Sequence, residues 1–288
     1  MNIYTNGIEE IVFEKNTLNI LTFRSAIQQY RFRDTLLQWI KGREREDMYF
    51  RVTYDGYDVV SKDFDIVNIT GGALEFLEAK DANKQIMMFI KQQFEMDEQL
   101  LPIYTHMKNE IERTFHEMTI KFADFEIEFD LQSLVLENLL KQVEITITSN
   151  KENVSAFEYR KFIIDMWLQS LDGKRPKLLI YHFPEADLPI ADMKQLLAYL
   201  NDLKVTVICI TSKKVNADIV NLSNIKLFKE NGSIYNISGL YNELMLFDYS
   251  HSQLSLEQLV KDLAFYDFND DLLLLSDRWR TFLESNKF

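Results

Sequence analysis

The chain has 288 residues, 47% apolar and 27% charged, enough to bury a core as one domain or as one domain carrying an insertion. Its uninterrupted apolar runs are short, as in Leu272 to Leu275, which excludes a bilayer-crossing helix of about 20 residues. A net charge of −13 excludes a simple basic nucleic-acid binder. Residues 1–7 lack the basic-then-apolar plan of a secretion signal, and the single cysteine, Cys209, cannot form an intrachain disulfide, so a cytoplasmic protein is expected. His106, His116, His182 and His251 are too scattered for a structural zinc site. From the eight glycines neither the GxxxxGK[ST] phosphate loop nor GxGxxG can be written.

Leu18 to Phe23 reads as a buried strand, followed by a helical pattern from Ser25 to Ile40 that Gly42 stops. Met48 to Tyr54, Tyr57 to Val60 and Phe64 to Ile69 read as strands, with Asp55-Gly56 as a hairpin turn. From Ala73 to Met118 the apolar spacing is helical, and Pro102 is expected to kink or break the run, giving an arm of two helices or one bent helix. A helix over Leu131 to Leu140, a strand over Val143 to Thr148 and a helix over Val154 to Leu171 follow. Lys177 to Phe183 and Val205 to Thr211 are apolar strands flanking a helix over 190–202, which predicts a parallel sheet covered on both faces. Leu227-Phe228 and Ile234 to Ile237 flank Asn231-Gly232 as a final hairpin. Ser252 to Phe288 reads as two helices, the first with a Ser255/Gln258 capping box and the second capped by Asn269 or Asp270.

Charge is unevenly spread along the chain. Residues 63–171 carry ten Lys/Arg against twenty acids, whereas 21–62 carry eight against six and 172–229 nine against six. In the two positive segments the bases bunch at Arg24, Arg31 and Arg33, at Lys41, Arg43 and Arg45, at Lys174, Arg175 and Lys177, and at Lys213 and Lys214. They are either solvated helix ends and turns or a phosphate-tracking surface assembled from both segments.

Asp124, Glu126, Glu128 and Asp130 alternate with Phe125, Ile127 and Phe129, so an extended strand puts all four carboxylates on one face. A hard cation, Ca²⁺ or Mg²⁺, would relieve their repulsion. An acidic, solvent-facing edge strand that resists aggregation is the other reading, and a metal-dependent nuclease site a third. At the end of the Lys177 strand, where a phosphate-loop ATPase places its metal-holding carboxylate, stand His182 and Phe183. The order of elements is that of a nucleotide-binding fold without the nucleotide-binding residues.

Lys177-Leu178-Leu179-Ile180-Tyr181, a helix ending Tyr199-Leu200-Asn201-Asp202-Leu203, and Val205 to Ile210 resemble the C-terminal half of the CRISPR-associated accessory adaptation protein of type II-A loci, the Csn-two family. Ile127 to Asp130 through Val135-Leu136-Glu137 to Val143-Glu144-Ile145 is similar to that family's acidic strand, helix and next strand, as is Phe64-Asp65-Ile66-Val67 leading into a long helix. The resemblance runs in order over residues 10–215, and this sequence departs from the short members in its helical tail after Asp248.

The resemblance implies an α/β fold: a P-loop-ATPase-like, mostly parallel sheet head lacking the phosphate loop, with a long helical arm; the helical pattern of the tail adds a C-terminal helical extension. The head spans 1–72 and 122–250, the arm 73–121 and the extension 251–288. It implies a homotetrameric ring that binds double-stranded DNA ends without sequence preference in a Lys/Arg-lined hole. Structural Ca²⁺ with no nucleotide, and partnership with the CRISPR integrase complex and effector nuclease, are implied as well. Glu126, Glu128 and Asp130, with Asp124 nearby, become the calcium ligands and the bunched bases the DNA-facing residues, with no catalytic residue. The alternatives are a divergent metal-dependent NTPase or nuclease using the Asp124 to Asp130 face, and a protein-interaction scaffold.

Overall fold

The computed structural model describes residues 1–43, 49–70, 80–122, 125–128, 135–136, 138, 154–169, 173–186, 188–211, 220–247, 253–286 and 288. By contacts the chain divides into two units, Met1–Glu75 with Asp172–Phe288, and Phe76–Leu171.

The first unit is built on five parallel strands, β3 (Leu18–Phe23), β6 (Asp65–Thr70), β9 (Lys177–His182), β10 (Thr206–Thr211) and β11 (Ile225–Phe228). Across the sheet they lie in the order β11-β3-β10-β9-β6. In chain order that is fifth, first, fourth, third, second, the arrangement of phosphate-loop ATPases. Every residue of β3 and β10 is buried. That is why these strands are mostly apolar in the sequence and do not alternate, with Asn19, Thr22, Thr206 and Thr211 as buried polar residues among the apolar ones.

A second, antiparallel sheet, β2-β1-β4-β5, joins β1 (Asn2–Thr5), β2 (Ile8–Val12), β4 (Phe50–Tyr54) and β5 (Tyr57–Val59). The β4–β5 turn is Asp55-Gly56, with φ of 54° and 84°, as the expected hairpin requires. The β1–β2 hairpin has no counterpart in the expectations. Its strands are short and carry Asn2, Glu9 and Glu10 among the apolar residues, so neither periodicity stands out. One apolar cluster joins Ile3, Ile11 and Val52 of this sheet to Phe32 and Leu36 of helix α1 (Ala26–Ile40) and to Leu21, Ile180 and Ile208 of the parallel sheet. Helix α5 (Ile190–Asp202) packs against β3 and buries Met193, Leu196, Leu197 and Leu200, one i, i+3, i+4, i+7 stripe.

After β11 the expected hairpin is reduced to one antiparallel bridge, Phe228 to Ile234, and Ile237 already begins helix α6 (Ile237–Phe247). Gly232 closes that turn at φ 84°, and a Cβ there would come within 1.9 Å of the Gly7 carbonyl oxygen. Helices α7 (Gln253–Phe268) and α8 (Asp277–Ser285) match the two expected tail helices, with corrected ends. Helix α7 starts before Ser255, which therefore lies in its first turn, and Ser276 holds the cap position of α8. Asp270 instead ends α7 in the left-handed conformation, φ 58°.

In the second unit, α2 (Lys80–Met96) and α3 (Leu100–Glu117) form the expected pair of helices, but the break is not at Pro102. The chain turns at Asp97, whose carboxylate accepts the backbone N–H groups of Gln99 and Leu100, both at 2.8 Å. Pro102 fits in the first turn of α3, where an N–H has no helical acceptor to lose. The hairpin of β7 (Thr119–Phe122) and β8 (Phe125–Glu128) follows, and α4 (Ala156–Gln169), capped reciprocally by Ser155 and Glu158, packs on α2. Residues 122–171, grouped with the head on sequence, fall by contacts in this unit because the hairpin continues the chain from α3 and α4 packs on α2. The strand expected over Val143–Thr148 and most of the helix over Leu131–Leu140 lie outside the described residues.

Candidate nucleic-acid interface

A phosphate-loop ATPase holds nucleotide at the carboxyl ends of its parallel strands, between the first strand and the helix after it. Here only Arg24 and Ser25 separate β3 from α1. The Ser25 hydroxyl accepts the Gln28 N–H at 3.3 Å, and the Arg24 N–H donates to the Phe228 carbonyl at 2.9 Å. No glycine-rich loop intervenes, and these backbone donors are used internally.

At the end of β9, His182 is fully buried. Its Nε2 lies 2.7 Å from Oδ1 of Asn68 on β6, and its Nδ1 accepts the Nε–H of Arg33 at 3.2 Å. These partners fix a neutral ring with the proton on Nε2, donated to Asn68. Burial, and after it the Arg33 charge, push its pKa down to about 3. Arg33 lies 4.5 Å over the ring of Phe183, which turns out of the strand at φ 53°, and burial lowers the guanidinium's pKa as well. Neither ring nitrogen is left to take a proton from a substrate. One strand over, the buried Thr22 and Thr211 hydroxyls meet at 2.8 Å, and Gln29 Nε2 donates to the Thr211 carbonyl at 2.9 Å.

The expected DNA-facing residues separate into two groups at opposite ends of the parallel sheet. Arg24, at the end of β3, and Arg31, exposed on the first half of α1, stand at the carboxyl end. Lys41 and Arg43, exposed just beyond α1, and the exposed Lys174 and Arg175 with half-buried Lys177 at the start of β9, stand at the amino end. Helix α1 runs back along the sheet: Arg33 meets the end of β9, while Trp39, 6.1 Å from Phe64, reaches the start of β6. Strands of six residues set the groups about 20 Å apart.

Arg33 is a correction, since its bond to His182 and its stack on Phe183 make it a strut of the sheet end. Arg45, Lys213 and Lys214 lie outside the described residues. Sequence reading missed Lys229. Phe23 pairs with Phe228 across β3 and β11, so the next residues, Arg24 and Lys229, leave adjacent strands side by side. No local pattern marks Lys229, because its partner is remote in the chain.

Of the acidic face, Glu126 and Glu128 lie on β8. The register sets Glu126 opposite Lys121 and Glu128 opposite Thr119 on β7. Asp124 and Asp130 lie outside the described residues. Among the described residues no group of three or more His, Cys, Asp or Glu comes together that could hold a metal. The donor type suits Ca²⁺, but two carboxylates fall short of its six to eight oxygens.

The strand order and the occupied sheet end define a P-loop-ATPase-like α/β fold without the phosphate loop. No protein-family model and no curated protein matches the sequence. Among solved structures the fold is similar to Stu0660 of Streptococcus thermophilus, with a TM-score of 0.67 and 12% identity, covering 96% of this chain and 94% of that one. A nucleotide-free ATP-binding cassette from an ABC transporter aligns at a TM-score of 0.38 with 15% identity, over 81% of this chain and 90% of that one. The recombination mediator protein RecF aligns at 0.34 with 10% identity, over 81% and 96%. No helix among the described residues is long and apolar enough to cross a membrane.

Proposed function

We propose that this chain is a non-catalytic binder of double-stranded DNA ends that assembles as a homotetrameric ring around DNA and supports spacer acquisition in CRISPR adaptive immunity. The observation that carries the reading is an ATPase-type sheet without a phosphate loop, whose carboxyl end is bridged internally by Ser25, Arg33, Asn68 and His182, while exposed cations stand at both sheet ends. The fold likeness to Stu0660 over nearly the whole of both chains and the ordered resemblance of residues 10–215 to the Csn-two family support it.

A ring reconciles DNA binding with a net charge of −13, since the enclosed surface is positive while the outer surface is negative. Each end of the sheet draws cations from both positive segments. Arg24, Arg31 and Lys229 serve one end, and Lys41, Arg43, Lys174, Arg175 and Lys177 the other. They bind backbone phosphates, so affinity falls steeply with salt and is indifferent to base sequence. Ca²⁺ is the structural cation, with Asp124, Glu126, Glu128 and Asp130 as its candidate ligands on the sequence pattern. The integrase complex and effector nuclease are the protein partners.

A gel shift comparing linear duplex DNA with the same DNA covalently closed, in Ca²⁺ at moderate salt, tests the reading. Retention of the linear form alone is expected, because a ring threads onto ends. Equal retention of both overturns the ring, and retention of neither overturns DNA binding.

A further inference from the structure

At the carboxyl ends of β3 and β11, Arg24 and Lys229 line a cavity of about 390 Å³ whose other wall includes Asp267, Phe268 and Asp270 from the end of α7. Both cations are held by oxygens that stand where phosphate oxygens would bind. Arg24 pairs with Asp270 and lies 3.9 Å from Glu230, and Lys229 donates to the main-chain oxygen of Phe288. Asp270 is placed there by backbone: its N–H bonds to the Asp267 carbonyl at 3.2 Å and the Asp271 N–H to the Tyr266 carbonyl at 2.9 Å, closing a left-handed turn at the end of α7. Helix α7 is in turn tied to the loop after β11 by the Tyr235 hydroxyl, which donates to Asp267 at 2.5 Å, and burial with that bond raises the Tyr235 pKa.

The carboxylates of Asp270 and Glu230 are 67% and 78% exposed, so their pairing with Arg24 is weak and exchangeable. We infer that Arg24 and Lys229 form a phosphate site for a nucleic-acid backbone, and that the C-terminal helices hold Asp270 in that site as a built-in competitor. The inference rests on the DNA-binding reading and deepens it by giving the C-terminal extension a role: bound DNA must displace the Asp270 carboxylate from Arg24. Two cations just past the ends of neighbouring strands, about 5 Å apart at the backbone, can grip one phosphodiester or two consecutive ones.

Asp270→Asn tests this without disturbing the turn, since asparagine takes the left-handed conformation as readily as aspartate. The parent, Asp270→Asn, Asp271→Asn and the double variant Asp270→Asn with Arg24→Gln are titrated against one labelled linear duplex. Asp271→Asn makes the same change of net charge one residue away, with no contact between Asp271 and Arg24 among the described residues. Asp270→Asn is expected to bind about three- to five-fold tighter than the parent, Asp271→Asn within about two-fold of it, and the double variant no tighter than the parent. Equal gains in both Asp variants, or a gain that survives Arg24→Gln, overturn the competitor. Unchanged affinity in Asp270→Asn beside a parent that binds overturns it too and leaves the DNA reading intact. Failure of every form to bind duplex overturns the DNA reading and the site together.

Discussion

Lowering the pH should destabilise this protein through His182, by an amount that follows from its surroundings. The ring is buried, donates to Asn68 and accepts from Arg33, so protonation removes the acceptor that Arg33 needs and sets two cations side by side. The folded-state pKa is pushed down to about 3 from an ordinary 6.5, so between these values the unfolded chain binds the proton that the folded chain refuses. The stabilising contribution is fully present above about pH 6.5 and is lost as pH falls toward 3. Between pH 7 and pH 5 the loss comes to about 2 kcal/mol, at about 1.4 kcal/mol per pH unit below the unfolded-state pKa.

Urea unfolding of the parent and of His182→Gln at the two pH values measures this. The substitution itself costs stability, but the quantity of interest is the difference in pH slope, from which groups titrating in both proteins cancel. The parent is expected to lose about 2 kcal/mol more than the variant on going from pH 7 to pH 5. Slopes that agree within about 0.5 kcal/mol would refute the neutral, doubly bonded histidine.

Thr211→Val removes the hydroxyl that meets Thr22 inside the sheet and strands a buried partner, at a cost of about 1–3 kcal/mol in urea unfolding. Leu200→Ala empties a fully buried position where α5 meets the core and costs about 2–5 kcal/mol by the same assay. Reversing the charge at Lys174, Arg175 and Lys177 together should weaken binding to all duplex sequences alike and flatten the salt dependence; an unchanged affinity takes the amino end of the sheet out of the DNA surface. Glu126→Gln with Glu128→Gln should weaken assembly in Ca²⁺ and leave it unaltered in chelator, read by sedimentation. Equal assembly of the parent with and without chelator removes the metal.

The parallel strands were legible because burial on both faces favours mostly apolar, non-alternating segments, and Leu18 to Phe23, Lys177 to His182 and Val205 to Thr211 have apolar centres of that kind without reference to any other part of the chain. The Asp55-Gly56 turn was equally local, since left-handed backbone at two consecutive residues restricts which amino acids can stand there. Pro102 is the stop signal that the sequence offers between α2 and α3, whereas a side-chain cap from Asp97 makes the break, and propensity alone does not say which of two nearby stop signals prevails. The β1–β2 hairpin stayed hidden because its two short strands mix acids with apolar residues and draw their stability from β4 and the core beneath.

The basic residues were visible as a list, but their roles were not. A count of Arg and Lys along the chain treats Arg24, Arg33 and Lys229 alike. The tertiary structure turns Arg33 inward to bond His182 and leaves Arg31 exposed. It also brings Lys229 beside Arg24 because β11 pairs with β3. Which cations stand exposed, and which carboxylates already occupy them, depends on contacts between residues more than a hundred positions apart, such as Arg33 with His182 and Arg24 with Asp270. Composition and periodicity report only what neighbours along the chain impose on one another, so they determined most of the elements and the missing phosphate loop, but not the β1–β2 hairpin. The sheet order, the closed strand end and the shared cation site were decided by packing.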